Sequence, residues 1–191
     1  MLISQSHRQV LKLVVIAMKT QQHVITDIMA EVSTADLEAA VQVTLKKLDG
    51  ITELYPSQYE LLLCLLENNN IFYTNSTNSG KTLPLIIYPD ILKCLNSLGY
   101  NFPSEPKVLF VTALNSLKES LVNNAKTLGL RAEAVTSDNL EGLLSSDTSV
   151  LFISPEVLKL PTVTRLLIKN RASFALKCVD EAHLGKVHKK H

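Results

Sequence analysis

The hydrophobic pattern of the chain changes character near residue 50. Upstream, Leu37, Val41, Thr44 or Leu45, and Leu48 recur at three- and four-residue intervals, which predicts one apolar helix face. Ser33 and Asp36 stand where a capping box would open that helix, and Gly50 offers a left-handed stop. Two shorter apolar runs, 10–18 and 24–32, predict further helices before it. From Ile51 onward, short apolar runs alternate with amphipathic stretches. Strands are predicted at 71–74, 108–112, 132–136, 150–153 and 175–179, and helices at 56–68, 81–98, 115–128 and 162–169. This alternation of strand and helix is the pattern of an α/β fold with a mainly parallel sheet flanked by helices, preceded by a small helical N-terminal segment. The expected division is a helical segment over 1–50 and the α/β domain over 51–191.

Composition narrows the classes. With 191 residues, 46% of them hydrophobic, the chain can bury a core of ordinary size. Lys plus Arg number 19 against 18 Asp plus Glu, so any polyanion site must be local rather than a property of the whole surface. The three cysteines, Cys64, Cys94 and Cys178, are widely spaced in apolar surroundings and lack the spacing of a zinc site or a disulfide framework. They read as buried thiols in a reducing compartment. The apolar run at 10–18 is interrupted by Lys12 and is too short to span a bilayer. A soluble intracellular protein with no membrane partner is the expectation. His7 and His23 read as parts of a solvated face.

Two motifs carry chemistry. The run IFYTNSTNSGKT, residues 71–82, places an apolar strand before a loop of small residues, with Gly80, Lys81 and Thr82 opening a helix. Amide groups at a helix N-terminus bind anions, a lysine there reaches β and γ phosphates, and a threonine hydroxyl ligates Mg²⁺. Thr77, Asn78 and Ser79 complete the expected ATP loop. The strict pattern GxxxxGK[ST] has glycine where Asn75 stands; asparagine is the side chain that best tolerates a left-handed backbone. The second motif, LKCVDEAH, is an apolar strand ending in Asp180 and Glu181, one carboxylate for the metal and one for the attacking water. Parallel sheets gather ligands at the carboxyl ends of their strands, and both motifs are predicted there.

With these segments placed, residues 54–183 resemble the first RecA-like domain of superfamily-two helicases of the DEAD/DEAH type, and most closely the RecQ family. LYPSQYELLLCLLENNNIFY resembles the glutamine-containing segment, VTALNSL the segment after the second strand, FISPEVL an Ala-Pro-Glu segment, and VDEAH the DEAH box. The resemblance implies an ATP-dependent 3′ to 5′ DNA helicase using ATP and Mg²⁺. Lys81, Asp180, Glu181 and His183 would be catalytic, and Thr82 and Asp180 would hold the metal. Gln58 would recognise the adenine edge. Single-stranded or forked DNA, with RNA left open, would run past Thr112, Ala113, Leu114, Ser116, Ser154, Pro155 and Glu156. A nuclear location would follow in a eukaryote and a cytoplasmic one otherwise.

The chain departs from the family where Leu54 and Tyr55 replace an aromatic residue and an arginine; Tyr55 either stacks on the base or packs as a partly buried tyrosine. The residues after His183 read LGKVHKKH, whose histidines (183, 188, 191) could ligate a metal and whose lysines (186, 189, 190) could meet phosphate, although a solvated terminus is the simpler reading. A second RecA-like domain normally supplies an arginine finger worth about 10³ to 10⁵ in rate. The 191-residue polypeptide, which reads as truncated after the DEAH box, is therefore expected to bind Mg-ATP weakly, hydrolyse little and not unwind. Two alternatives stand beside the helicase: a non-catalytic remnant that keeps a nucleotide- or nucleic-acid-binding face, and a P-loop ATPase outside the helicases.

Overall fold

The computed structural model describes residues 32–67, 71, 80–112 and 115–179, without the side chains at 115 and 116. The predicted helices at 10–18 and 24–32, apart from Val32, lie outside the described residues, as does all but Ile71 of the strand predicted at 71–74.

In chain order the elements are α1 (Thr34–Leu45), α2 (Pro56–Leu66), α3 (Thr82–Ser97), β1 (Lys107–Val111), α4 (Asn115–Thr127), β2 (Ala132–Ala134), α5 (Leu140–Ser145), β3 (Val150–Ile153), α6 (Pro155–Leu158), α7 (Pro161–Lys169) and β4 (Phe174–Val179). The strands form one sheet in the order β2-β3-β1-β4, and every pairing is parallel. Each central strand is buried throughout because both faces are covered, and apolar but for Lys107 at the start of β1, whose ammonium donates to the carbonyls of Ser146 and Thr148. Val108, Phe110, Val150, Phe152, Leu176 and Cys178 enter one core, while Leu109, Val111, Leu151, Ile153 and Phe174 enter another. The first core also takes the inner faces of α1, α2 and α3; the second takes Leu140 of α5 with Val163 and Leu167 of α7. The architecture is therefore three layers, helix on sheet on helix.

The central helix is α3. Leu85, Ile87, Ile91 and Leu95 are fully buried within it, and it packs on α1, α2, β1 and β4. Its interior Pro89 cannot donate to the carbonyl one turn back and would weaken an isolated helix by about 3 kcal/mol. Burial on several sides offsets that cost, which local propensity alone does not reveal. Asn96 donates from its side chain to the carbonyls of Phe102 and Pro103 (3.2 and 3.3 Å), and Lys93 pairs with Glu105. These bonds hold the C-terminus of α3 beside the segment that leads into β1.

Helix α1 is built into the same core. Leu37, Ala40, Val41 and Leu45 are buried against α3. Its cap is a variant of the expected box: Ser33 Oγ accepts from the Asp36 N–H (3.0 Å), but the Ser33 N–H donates to the Tyr100 hydroxyl (3.1 Å) rather than to Asp36. Tyr100 in turn donates to Asp36 Oδ2 (2.8 Å). The helix stops a turn earlier than the apolar spacing implies. The turns after Leu45 carry Leu48 inward before Gly50 takes φ +76°.

Helices α5 and α6 escape the periodicity because six and four residues are too short to display it. The strand expected at 132–136 ends two residues early, because Thr136 and Asn139 bond each other's backbone in a turn (2.8 and 3.3 Å). Of the three thiols, Cys178 is buried, Cys94 is half-buried and Cys64 is exposed. The apolar surroundings of Cys64 in sequence come from Leu61, Leu62 and Leu65, which turn into the core on the other face of α2.

Candidate functional site

The candidate residues fall at the start of α3 and at the carboxyl ends of β1, β3 and β4. Gly80 precedes that helix with φ +67°, a backbone state that glycine enters without strain. A β-carbon there would lie 2.5 Å from Nε2 of Gln58, so the close approach of this side chain is a second reason for glycine. Lys81 is the N-cap and Thr82 the first helical residue; both are half-buried. The N-terminal amides of α3 and its dipole make this position favourable to phosphate. Thr77, Asn78 and Ser79 lie outside the described residues.

Gln58 is brought to this place by α2. Pro56 opens the helix with φ already preset, and Gln58 at its third position accepts the Tyr55 N–H through Oε1 (2.8 Å). Its Nε2 donates to the Gly80 carbonyl (2.8 Å), and the residue is only 2% exposed. The glutamine expected to read an adenine edge thus bridges two backbone groups of its own chain, tying the cap of α2 to the residue before α3. Neither composition nor spacing signals this bond, since its partners are 22 residues apart.

Beside the bridge lies an open groove of about 480 Å³, bounded by the loop 50–55, by Gly80, Thr82 and Ile86, by Leu121 and Asn124 of α4 and by Leu128 just after it. Sequence reasoning placed these residues in the helix expected at 115–128 and did not single them out. Tyr55 stands in the wall of this groove and is 63% exposed. The ring is more exposed than the partly buried packing that was one of its two readings.

At the strand ends, Thr112 directly follows β1 and its N–H donates to the Ile153 carbonyl (3.0 Å). It is fully buried, and its hydroxyl has no hydrogen-bond partner among the described residues. Ser154, 3% exposed, follows β3 and caps α6 by accepting the Val157 N–H (3.5 Å). Both hydroxyls expected along a nucleic-acid groove are thus interior. Pro155 is half-buried, and Glu156 is the exposed member of that segment. The Glu156 carboxyl is held below the usual carboxylate range, first by its own backbone N–H and then by the Ser154 hydroxyl. Ser116 falls in the first turn of α4, and Ala113 and Leu114 lie outside the described residues.

β4 ends at Val179, paired with Val111, so the residue before the DEAH motif reaches the same edge as Thr112 and Ser154. Asp180, Glu181 and His183 lie outside the described residues. The chain matches no protein-family model and no curated protein. Geometry and motif order therefore carry the functional reading. No helix among the described residues is long and apolar enough to cross a membrane.

Proposed function

We propose that this chain is the ATP-binding, first RecA-like domain of a RecQ-like superfamily-two DNA helicase, acting with Mg²⁺ on single-stranded or forked DNA and moving 3′ to 5′. The observation that carries the reading is convergence. VTALNSL, FISPEVL and the strand leading into VDEAH fall at the ends of neighbouring strands at one edge of a parallel sheet, and GKT opens the helix that packs on two of those strands. An accidental GKT on a surface loop has no reason to open a buried helix with its glycine bonded to a buried glutamine.

In this reading the amides at the start of α3 and the Lys81 ammonium neutralise phosphate charge, and the Thr82 hydroxyl is a metal ligand. When bound, Mg²⁺ would draw negative charge off the terminal phosphates. Thr82 fits that role as a half-buried hydroxyl at the first helical position, next to the left-handed Gly80. Asp180 and Glu181 would complete the site as metal anchor and water-polarising base, and His183 would couple it to the nucleic-acid side.

The test is equilibrium binding of Mg-ATP by the wild type and by Lys81→Ala. Loss of affinity by about tenfold or more is expected, from one charge-assisted phosphate contact. An unchanged dissociation constant would remove the phosphate-site assignment. Binding of single-stranded DNA that weakens with salt separates the helicase from a P-loop ATPase of another kind, which needs no such surface.

A further inference from the structure

We infer that the outer surface of α7 and the start of β4 form a second contact with nucleic acid, a cationic strip that holds the phosphate backbone irrespective of base sequence. The inference rests on the nucleic-acid reading above for its class of partner, and adds a surface that none of the motif segments supplies. Between Glu156 and Asp180 the chain carries five Lys and Arg residues and no Asp or Glu, although its total is nearly balanced at 19 against 18. A local excess of cations marks a polyanion surface where folding leaves the charges together and outward.

Folding does so here. Helix α7 turns Val163 and Leu167 into the second core and leaves Arg165 and Lys169 exposed. Four residues apart, these two share one face of the helix, about 6 Å apart along its axis. The turn Arg171–Ser173 joins α7 to β4, so the exposed Arg171 continues the strip beyond Lys169. Arg171 also lies near Lys177 of β4, whose ammonium is held below the usual lysine range first by burial and then by that guanidinium. Like charges held this close repel, and a phosphate between them relieves the repulsion. The elements packed on α7 carry the carboxylates of Glu141 in α5 and Glu156 in α6, and Glu156 lies in the field of Lys159 and Lys118. Among the described residues, Arg165, Lys169 and Arg171 enter no ion pair, whereas Lys93, Lys126 and Arg131 are each matched by a carboxylate. An anionic bilayer suits the strip less well, because insertion needs an apolar helix face and α7 commits its own to the core, leaving Ile168 as its exposed large apolar side chain.

The experiment is titration of the full 191-residue chain with two single-stranded DNAs of about 20 nucleotides and unrelated sequence, at several salt concentrations. Arg165→Ala/Lys169→Ala is expected to bind both strands about tenfold more weakly, with the slope of log affinity against log salt shallower by about 1.4, from two lost phosphate contacts at about 0.7 each. Its urea midpoint should stay that of the wild type, since both positions are exposed. Arg165→Lys/Lys169→Arg, which keeps the charge, should retain the wild-type slope. Lys46→Ala/Lys47→Ala, which removes the same charge from exposed positions at the end of α1, should change DNA affinity by less than about twofold. Unchanged affinity and slope in Arg165→Ala/Lys169→Ala overturns the strip and leaves the helicase reading standing. So does an equal loss in the Lys46/Lys47 variant, which would make net charge the cause, a loss in the charge-keeping variant as large as in the alanine pair, or a loss confined to one of the two sequences. Binding of phosphatidylserine vesicles that depends on Arg165 and Lys169 and is tighter than that of DNA overturns it in favour of a membrane surface. A wild-type chain that binds neither strand at low salt removes the nucleic-acid reading itself, and the strip with it.

Discussion

Gly80 concentrates two constraints in one residue. Its φ of +67° costs a residue with a β-carbon about 1–2 kcal/mol, and that carbon would press on Gln58 Nε2 at 2.5 Å. Gly80→Ala is therefore expected to destabilise the fold by about 1–3 kcal/mol, read by urea denaturation. Because the clash displaces the Gln58 amide, the cost of Gln58→Ala should be smaller in the Gly80→Ala background than in the wild type. Additive costs in that double-mutant cycle would mean that the bridge contributes nothing. The glycine of GKT was legible as a motif position. Its dependence on Gln58 was not, since a bond across 22 residues leaves no trace in local spacing.

The cap of α1 shows how a single element is tied into the molecule. Hydrogen bonds from Ser33, then from Tyr100, hold the Asp36 carboxyl below its ordinary value of 3.8. A carboxylate with a depressed value adds stability that is complete above its unfolded value and is lost as pH falls through the folded one. The Asp36 contribution should thus be fully present at pH 5 and above, and decline below about pH 4. Ser33→Ala removes the larger of the two bonds to Asp36 together with the cap of α1. It is expected to cost about 1 kcal/mol at pH 7, and melting temperatures measured across pH 2 to 7 should fall less steeply on the acid side than in the wild type. A parallel acid limb in the two proteins would show that Asp36 titrates as it does in the unfolded chain. The Ser33 and Asp36 signal was readable in sequence, but the reciprocal partner was not. Tyr100, 64 residues from Asp36, takes the place that the capping box assigns to a local bond.

Across the molecule, the sheet separates two cores, and Phe110 stands at its centre. Its side chain is fully buried on the α3 face and packs against Phe152 with ring centroids 5.3 Å apart. Phe110→Ala should cost about 3–5 kcal/mol by urea denaturation, a large share of the stability of a domain this size. Because α3, which opens at the phosphate site, packs on β1, nucleotide affinity should fall in the same variant. Phe110→Leu, which retains most of the volume, should recover most of both. Loss of stability with full nucleotide affinity would show that the phosphate site does not depend on the packing of β1.

The alternation of short apolar runs with amphipathic ones was enough to place β1, β3, β4 and the four longer helices that follow residue 50, because burial of both sheet faces writes itself into every residue of a central strand. The same reading located the GKT helix start and put Thr112 and Ser154 at strand ends. The order β2-β3-β1-β4, the burial of α1 against α3, the inward turn of both hydroxyls and the capture of Gln58 by Gly80 came from packing alone. Each of these depends on which distant residues meet across a core, and local periodicity carries no record of distant partners.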